Sequence, residues 1–165
     1  VVGENIFEYY GMHLRAAVMP GVLREVIETV GCGLLLDLSH ARIAARDLGM
    51  DAKAYVAALP VDHLREVHIT GIQRFDVRWV RLAEAGGVPA EKIERRKGRM
   101  IDHLPMTDAD WAFFGWALSR IRDGAWQTPE IVAYEYGGVG RDFEAVTLRE
   151  ELAEQVPRLY AMVHA

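Results

Sequence analysis

Acidic or imidazole side chains recur along this chain at nearly constant intervals, each in or directly after a short apolar run. They are Glu4, Asp37, His68, Asp102 and Glu135, separated by 33, 31, 34 and 33 residues. A strand-plus-helix unit of a (β/α)8 barrel takes about 31 residues, because about 250 residues are shared among eight units. The spacing therefore predicts consecutive parallel βα units. Their strands would end at one common face, where such barrels keep their active sites.

The apolar runs around these side chains predict five strands. They cover residues 1–4, 34–38, 65–70, 100–102 and 131–135. Pro20 fits the first turn of a helix, and residues 107–110 resemble a capping box that opens another. Since a closed barrel needs eight strands, we predict an α/β TIM barrel of which residues 1–165, a single domain, form the C-terminal five βα units, with about three N-terminal strands missing. The alternative is an open five-stranded α/β sheet.

Bulk composition narrows the class of protein. With 51% apolar residues, the chain has ample material for a buried core. Its net charge of −5 argues against a protein that neutralises many phosphates, so nucleic acid is not favoured as a partner. The sequence contains no long apolar stretch and no secretion signal, so no membrane is expected. The single Cys32 fits a reducing compartment, and we expect a cytoplasmic location.

Carboxylates and imidazoles that converge at one end of a barrel would form a metal site. Asp37 and His40 are the strongest local cluster, because an acid at a strand end and a histidine three positions later can serve one ion or bridge two. The alternative is that Asp37 caps the following helix and His40 lies on the surface. His68 could instead be a core histidine bound to the backbone. Glu4 has little preceding sequence to support its assignment.

Asp102, His103 and Glu135 complete the predicted set. Adjacent residues in a strand point to opposite sides, so Asp102 and His103 can both coordinate only if the strand has ended by His103. The following Leu104-Pro105 favours such an ending. Glu135 is flanked by aromatic residues, and a buried carboxylate there needs a cation, hydrogen-bond donors or a raised pKa.

Two further segments have a functional and an ordinary interpretation. The glycine-rich residues 137–140 follow the last predicted strand, where barrels often bind phosphate, but a simple turn explains them equally well. The basic residues within 95–99 could contact nucleic acid. The acidic Glu91 and Glu94 adjoin them, which favours a solvated loop.

Four of these residues, on successive strands, are similar to the ligand set of the xylose isomerase-like TIM-barrel superfamily: Glu4, Asp37, His68 and Glu135. The amino-acid sequences of the surrounding segments are closer to those of one branch of this superfamily. Residues 3–5, 31–37, 58–60, 66–71 and 134–135 resemble the family of multinuclear iron-containing TIM-barrel proteins. That family includes the methanobactin-biosynthesis oxidase, which modifies peptide cysteines using oxygen. The resemblance spans essentially the whole chain.

The chain departs from the family pattern at two places. Adjacent Asp102 and His103 stand where the family typically has an Asp-x-His pair. Position 72 is isoleucine, where a further histidine is common. Metal binding is therefore better supported by the resemblance than the modification of a peptide.

The resemblance implies a multinuclear non-haem iron enzyme, an oxidoreductase that acts on a peptide or small molecule. It implies two or three metal ions, and manganese or zinc would also suit mixed oxygen and imidazole ligation. A small partner protein is implied as well. The residues expected to hold the metals are Glu4, Asp37, His40, His68, Asp102, His103 and Glu135.

Three alternatives stay open at this stage. In a sugar isomerase or epimerase with one divalent ion, Glu4 and Glu135 would be catalytic, binding metal and moving a proton beside a carbonyl. A zinc phosphodiesterase resembling the type IV AP endonucleases would also use an Asp-x-x-His arrangement, but the acidic balance of the chain counts against it. A barrel that has lost its metals and binds a partner is the non-enzymatic interpretation.

Overall fold

The computed structural model describes residues 1–7, 15–137 and 147–165. Their strands are β1 (Val2–Glu4), β2 (Gly33–Asp37), β3 (Leu64–Ile69), β4 (Gly71–Arg74), β5 (Met100–Leu104) and β6 (Ile131–Tyr134). Their α-helices are α1 (Pro20–Val30), α2 (Leu38–Asp47), α3 (Ala52–Ala58), α4 (Val77–Ala85), α5 (Ala90–Arg96), α6 (Asp108–Arg122) and α7 (Arg149–His164). Short 3-10 helices occupy Arg15–Val18 and Val61–His63.

The described residues divide into two compact units. The first consists of Val1–Ile69 with Phe114–Ala133, and the second of Thr70–Phe113 with Tyr134–Ala165. Each unit has its own sheet: four strands in the order β1-β2-β3-β6, and two strands, β4 and β5. One dividing point falls within α6 and another before the last residue of β6.

The sheet of the first unit is built on parallel pairing around a buried central strand. β2 pairs in parallel with β1 on one side and with β3 on the other. Leu34 and Leu36 of β2 are fully buried, which explains the continuous apolar run, because a strand in a parallel sheet is covered on both faces. Burying each leucine stabilises the fold by about 1.5–3 kcal/mol. The predicted strands 1–4, 34–38 and 65–70 are therefore confirmed to within one residue at each end, and Leu38 belongs to α2 instead.

Helices α1 to α3 of the first unit begin and end at residues suited to those positions. Pro20 is the first residue of α1, as predicted, where its missing N–H costs nothing. Gly31 ends α1 in the left-handed conformation, with φ of 69°, and donates its N–H to the Ile27 carbonyl at 2.9 Å.

Tyr55 of α3 is fully buried, and its hydroxyl donates to the Val18 carbonyl at 2.6 Å. Burial raises the pKa of Tyr55 to about 12.

The second unit corrects one part of the predicted topology. The strand expected at Met100–Asp102 exists within β5, but β5 pairs antiparallel with β4, which the sequence pattern does not predict. β4 follows β3 after the single residue Thr70, so the chain changes sheets with no intervening helix. The described residues thus show one parallel and one antiparallel sheet and no closed barrel.

The core of the second unit lies between its two strands and helices α4 and α5. Its buried residues are Phe75, Trp79, Ala83, Val88, Ile93 and Leu104.

The buried Gln155 holds α7 to the loop after β5, because its side chain accepts from the Met106 N–H at 2.8 Å and donates to the Met106 carbonyl at 3.0 Å. The predicted capping box is confirmed, because the Asp110 carboxylate accepts from the Thr107 N–H at 2.6 Å.

The last helix, α7, covers Arg149–His164. Residues 138–140 of the glycine-rich segment lie outside the described residues. Within the ranges that the structure describes, we find no helix with both the length and the apolar character needed to cross a membrane.

Gly71 allows the close approach of β4 to the end of β5. A Cβ atom at this position would overlap the backbone carbonyl of Pro105. We expect Gly71→Ala to lower the free energy of unfolding by about 1–3 kcal/mol, because backbone cannot move aside as a flexible side chain can. Gly21→Ala is the control: its Cβ meets nothing within 4 Å, and alanine favours the helix by about 0.5–1 kcal/mol. Urea denaturation measures the free energy of unfolding of both variants. An equal change in Gly71→Ala and Gly21→Ala would contradict the prediction.

Burial of Tyr55 predicts a specific pH dependence of stability. Because its folded pKa is raised to about 12, the protonated phenol contributes stability that is complete below its unfolded pKa of about 10 and is lost as the pH rises through the folded value. We expect the wild-type protein to lose on the order of 2 kcal/mol more than Tyr55→Phe between about pH 10 and pH 12. Denaturant titrations across this range test it. Parallel pH profiles would contradict the prediction.

Candidate metal centre

Three predicted ligands of the first unit meet at the C-terminal ends of adjacent parallel strands. Asp37 at the end of β2 pairs with His68 of β3, and Glu4 at the end of β1 pairs with Leu35, two residues before Asp37. Side chains at paired positions and at alternate positions share one face of a sheet. One ligand atom each from Glu4, Asp37 and His68 therefore lies within 4.8 Å of the others.

The two oxygens of the Asp37 carboxylate have different neighbours: one binds the backbone at the start of α2, and the other lies near the His40 ring. Its Oδ1 accepts from the His40 N–H at 2.7 Å, so Asp37 is the N-cap of α2. The helix-cap interpretation is therefore confirmed. Its Oδ2 lies 3.8 Å from His40 Nε2. Because the two oxygens face different groups, capping the helix does not prevent Asp37 from serving as a metal ligand.

His40 is not the surface residue of the alternative interpretation. Its side chain is 14% exposed, with Nδ1 located 3.2 Å from Glu4 Oε1. The Phe7 ring packs against the imidazole, with 4.9 Å between ring centroids. The first turn of α2 thus brings His40 to Glu4 and Asp37. Four of the seven predicted metal ligands lie together within the first unit.

Glu66 is a site residue that the sequence analysis does not select. It pairs with Leu35 in the sheet, and therefore lies on the same face as Glu4 and His68. Its Oε1 is 2.9 Å from His68 Nε2. A carboxylate that binds one imidazole nitrogen orients the ring, as the partners of metal-bound histidines do. Its position two residues before His68 in a strand is the sequence signal that could have identified it.

In the second unit, Asp102 and His103 meet through an unusual backbone conformation. His103 has φ of 57°, in the left-handed region that favours glycine. This conformation interrupts the alternation of side chains, and His103 Nε2 lies 3.6 Å from Asp102 Oδ2. The Gly137 N–H donates to the His103 carbonyl at 3.1 Å. The strand was expected to end by His103, and this is wrong, because β5 continues to Leu104; the positive φ of His103 interrupts the side-chain alternation instead.

Glu135, also in the second unit, lies between two anchored tyrosines. The rings of Tyr134 and Tyr136 stack with 5.7 Å between centroids. The Tyr136 hydroxyl accepts from the Leu148 N–H at 2.7 Å, and the Tyr134 hydroxyl binds Gln155 Oε1 at 2.5 Å. Burial raises the pKa of both phenols, so they stay protonated at neutral pH. That Glu135 acts with the donors of the first unit stays a prediction.

The donors of the first unit fit a metal ion chemically. They are two carboxylates and two imidazoles, a combination suited to iron, manganese or zinc. The Asp37 side chain is fully buried, and burying a carboxylate is costly unless hydrogen bonds or a cation compensate. The exposed part of the cluster is Glu4, whose side chain is 38% accessible. The cluster therefore combines a buried anchor with an open edge.

Comparison with known families agrees with this arrangement. A sequence model of the family described as "RiPP precursor modification enzyme MbnB/TglH/ChrH" matches residues 1–85. The chain belongs to this family. The matched segment contains the four clustered donors of the first unit, Glu4, Asp37, His40 and His68, and ends before Asp102. The suspected membership among the methanobactin-biosynthesis oxidase-like proteins is thereby confirmed.

Individual relatives cover shorter segments. A UPF0276 protein of Anaeromyxobacter sp. (strain Fw109-5) is 39% identical over 70 residues, which are 41% of this chain and 24% of that protein. A UPF0276 protein of Caulobacter sp. (strain K31) is 31% identical over 83 residues, 50% of this chain and 30% of that protein. A UPF0276 protein of Bordetella pertussis (strain Tohama I) is 42% identical over 52 residues, which are 32% of this chain and 18% of that protein. The chain thus spans less than a third of these relatives. No solved structure matches it.

The backbone at His103 predicts a variant that is more stable than the wild type. A left-handed conformation costs a non-glycine residue about 1 kcal/mol, so His103→Gly is expected to raise the free energy of unfolding of the metal-free protein by about 0.5–1 kcal/mol. His63→Gly is the control, since His63 has no positive φ, and it should lower stability. Denaturant titration of both variants measures the difference. A loss of stability in His103→Gly would contradict the prediction.

Proposed function

We propose that this chain is part of a metal-dependent enzyme that oxidatively modifies a peptide precursor, using two or three iron ions. The family to which the chain belongs is described as modifying RiPP precursors, which supports a peptide as substrate. The observation that carries the proposal is the meeting of Glu4, Asp37 and His68 within 4.8 Å at three adjacent strand ends. Such a cluster of carboxylate and imidazole donors suits iron, as it also suits manganese or zinc.

The residues of the first unit divide the proposed work between holding the metal and serving the substrate. Glu4, Asp37 and His68, whose ligand atoms lie within 4.8 Å of one another, would hold the first ion, and His40 would add a donor beside Glu4 and Asp37. Iron bound there supplies the redox chemistry with oxygen that amino acid side chains lack. Glu4 is the proposed proton acceptor, because its exposed carboxylate is open to a substrate group while its Oε1 stays 3.2 Å from His40 Nδ1.

The second unit contributes to this proposal through Asp102, His103 and Glu135. Asp102 and His103 form a compact donor pair, and we propose that they hold a further ion. Glu135 is the second proposed catalytic carboxylate. That residues 1–165 form the C-terminal part of a (β/α)8 barrel, and that a small partner protein binds this chain, stay predictions.

Asp37→Asn is the sharpest test of the metal centre. Asparagine still caps a helix, so α2 should persist, whereas a neutral amide is a poor ligand for iron. Asp51→Asn is the matched control, because Asp51 caps α3 through the Ala54 N–H at 2.9 Å and belongs to no donor group. We expect two or three irons per chain in wild-type and Asp51→Asn protein purified anaerobically. At least one ion should be missing in Asp37→Asn, as measured by elemental analysis.

Other outcomes would favour different functions. Equal metal content in the two variants, or no bound metal in the wild type, would contradict the proposed centre. One divalent ion with turnover of a ketose would support the sugar isomerase instead. Zinc together with cleavage of abasic DNA would support the phosphodiesterase.

A further inference from the structure

Asn5 is a fully buried polar residue next to Glu4, and no role follows from its sequence position alone. Its side-chain amide forms two hydrogen bonds with the main chain of Asp37. Asn5 Nδ2 donates to the Asp37 carbonyl at 2.9 Å, and the Asp37 N–H donates to Asn5 Oδ1 at 2.8 Å. Both bonds are buried, where leaving a polar group without a partner would cost about 1–3 kcal/mol.

These two bonds continue the pairing of β1 with β2 beyond the end of β1. The Asn5 N–H still donates to the Leu35 carbonyl, at 3.3 Å. One step further along β2, the side-chain amide takes the place of a strand backbone and fixes both main-chain groups of Asp37. Asp37 stands where β2 ends and α2 begins. Asn5 therefore holds the backbone from which the Asp37 carboxylate projects, and the His40 N–H binds one oxygen of that carboxylate.

The main-chain carbonyl of Asn5 acts on a second ligand. It lies 3.0 Å from His40 Nδ1. A carbonyl oxygen can only accept a hydrogen bond, so the neutral imidazole carries its proton on Nδ1. Glu4 Oε1, 3.2 Å from the same nitrogen, favours the same tautomer. Nε2 is then the nitrogen with the lone pair, and it is the one that lies 3.8 Å from Asp37 Oδ2.

We propose that Asn5 is the positioning residue of the metal centre: its amide fixes the main chain that carries the Asp37 carboxylate, and its carbonyl selects Nε2 of His40 as the metal donor. This inference rests on the proposed metal-binding function. Residues that orient ligands in this way typically change metal affinity 10- to 100-fold when they are replaced. Asn5 itself touches neither metal nor substrate in this assignment.

Metal affinity tests the role of the amide. Co2+, added alone to metal-free protein, reports its binding and coordination through its visible absorption spectrum. We expect Asn5→Ala to weaken the tightest site about 10- to 100-fold and to change the spectrum of the bound ion. Tyr55→Phe is the matched control: it removes a buried hydrogen bond to a backbone carbonyl in the same unit, away from the cluster. It should leave both affinity and spectrum unchanged.

The outcomes separate the two proposals. If wild-type protein binds no Co2+ and no iron, the proposed function fails. If it binds the ion, and Asn5→Ala binds equally well with the same spectrum, the metal centre stands and the positioning role is overturned. Equal weakening in Asn5→Ala and Tyr55→Phe would also overturn it, because general loss of stability would then explain the effect.

A second measurement needs no variant at position 5 and applies even if Asn5→Ala does not fold. In metal-free wild-type protein at pH 8, the 15N shifts and one-bond 15N–1H couplings of the imidazoles report the tautomer of each histidine. His40→Gln identifies the signals of His40 by their loss. We expect a proton on Nδ1 and none on Nε2. A proton on Nε2 would overturn the assigned role of the Asn5 carbonyl.

Discussion

The register of three parallel strands is the constraint on which the candidate centre depends. Asp37 is level with His68, and Glu4 is level with Leu35, so the donors occupy one face of the sheet. A shift of either pairing by a single residue would turn a donor to the opposite face. The buried leucines of β2 resist such a shift, because it would carry apolar side chains out of their packing. Core packing and ligand geometry are thus two results of the same backbone alignment.

Much of the first unit could be predicted from its sequence because spacing and burial act together there. The apolar run before Asp37 is typical of a strand covered on both faces, and Pro20 is typical of the first turn of a helix. The second unit was less predictable. Gly71–Arg74 is too short and too polar to show a strand period, and its antiparallel partner lies 26 residues further along the chain. Its pairing depends on a close backbone approach at Gly71 that no periodicity reveals.

The metal-donor residues of the candidate site could be predicted from the sequence, whereas the residues that hydrogen-bond those donors could not. Acids and histidines at strand ends are recognisable because such groups are rarely placed there without a partner. Asn5 and Glu66 are different, since a buried amide or a partly buried carboxylate is common in proteins without any ligand nearby. Their roles follow from hydrogen bonds to Asp37 and His68, which form only once the strands are paired in the folded protein. The left-handed backbone conformation of His103 could not be predicted either, because histidine has no preference for that conformation strong enough to indicate it.

The two oxygens of Asp37 link the site to the secondary structure around it. Oδ1 closes the first turn of α2, and Oδ2 faces the His40 ring that the same turn carries. A substitution to alanine would release the helix start and the donor together, whereas asparagine would keep the cap and lose the charged donor. Position 37 is consequently a point where selection for folding and selection for chemistry act on one side chain. Few replacements can satisfy both.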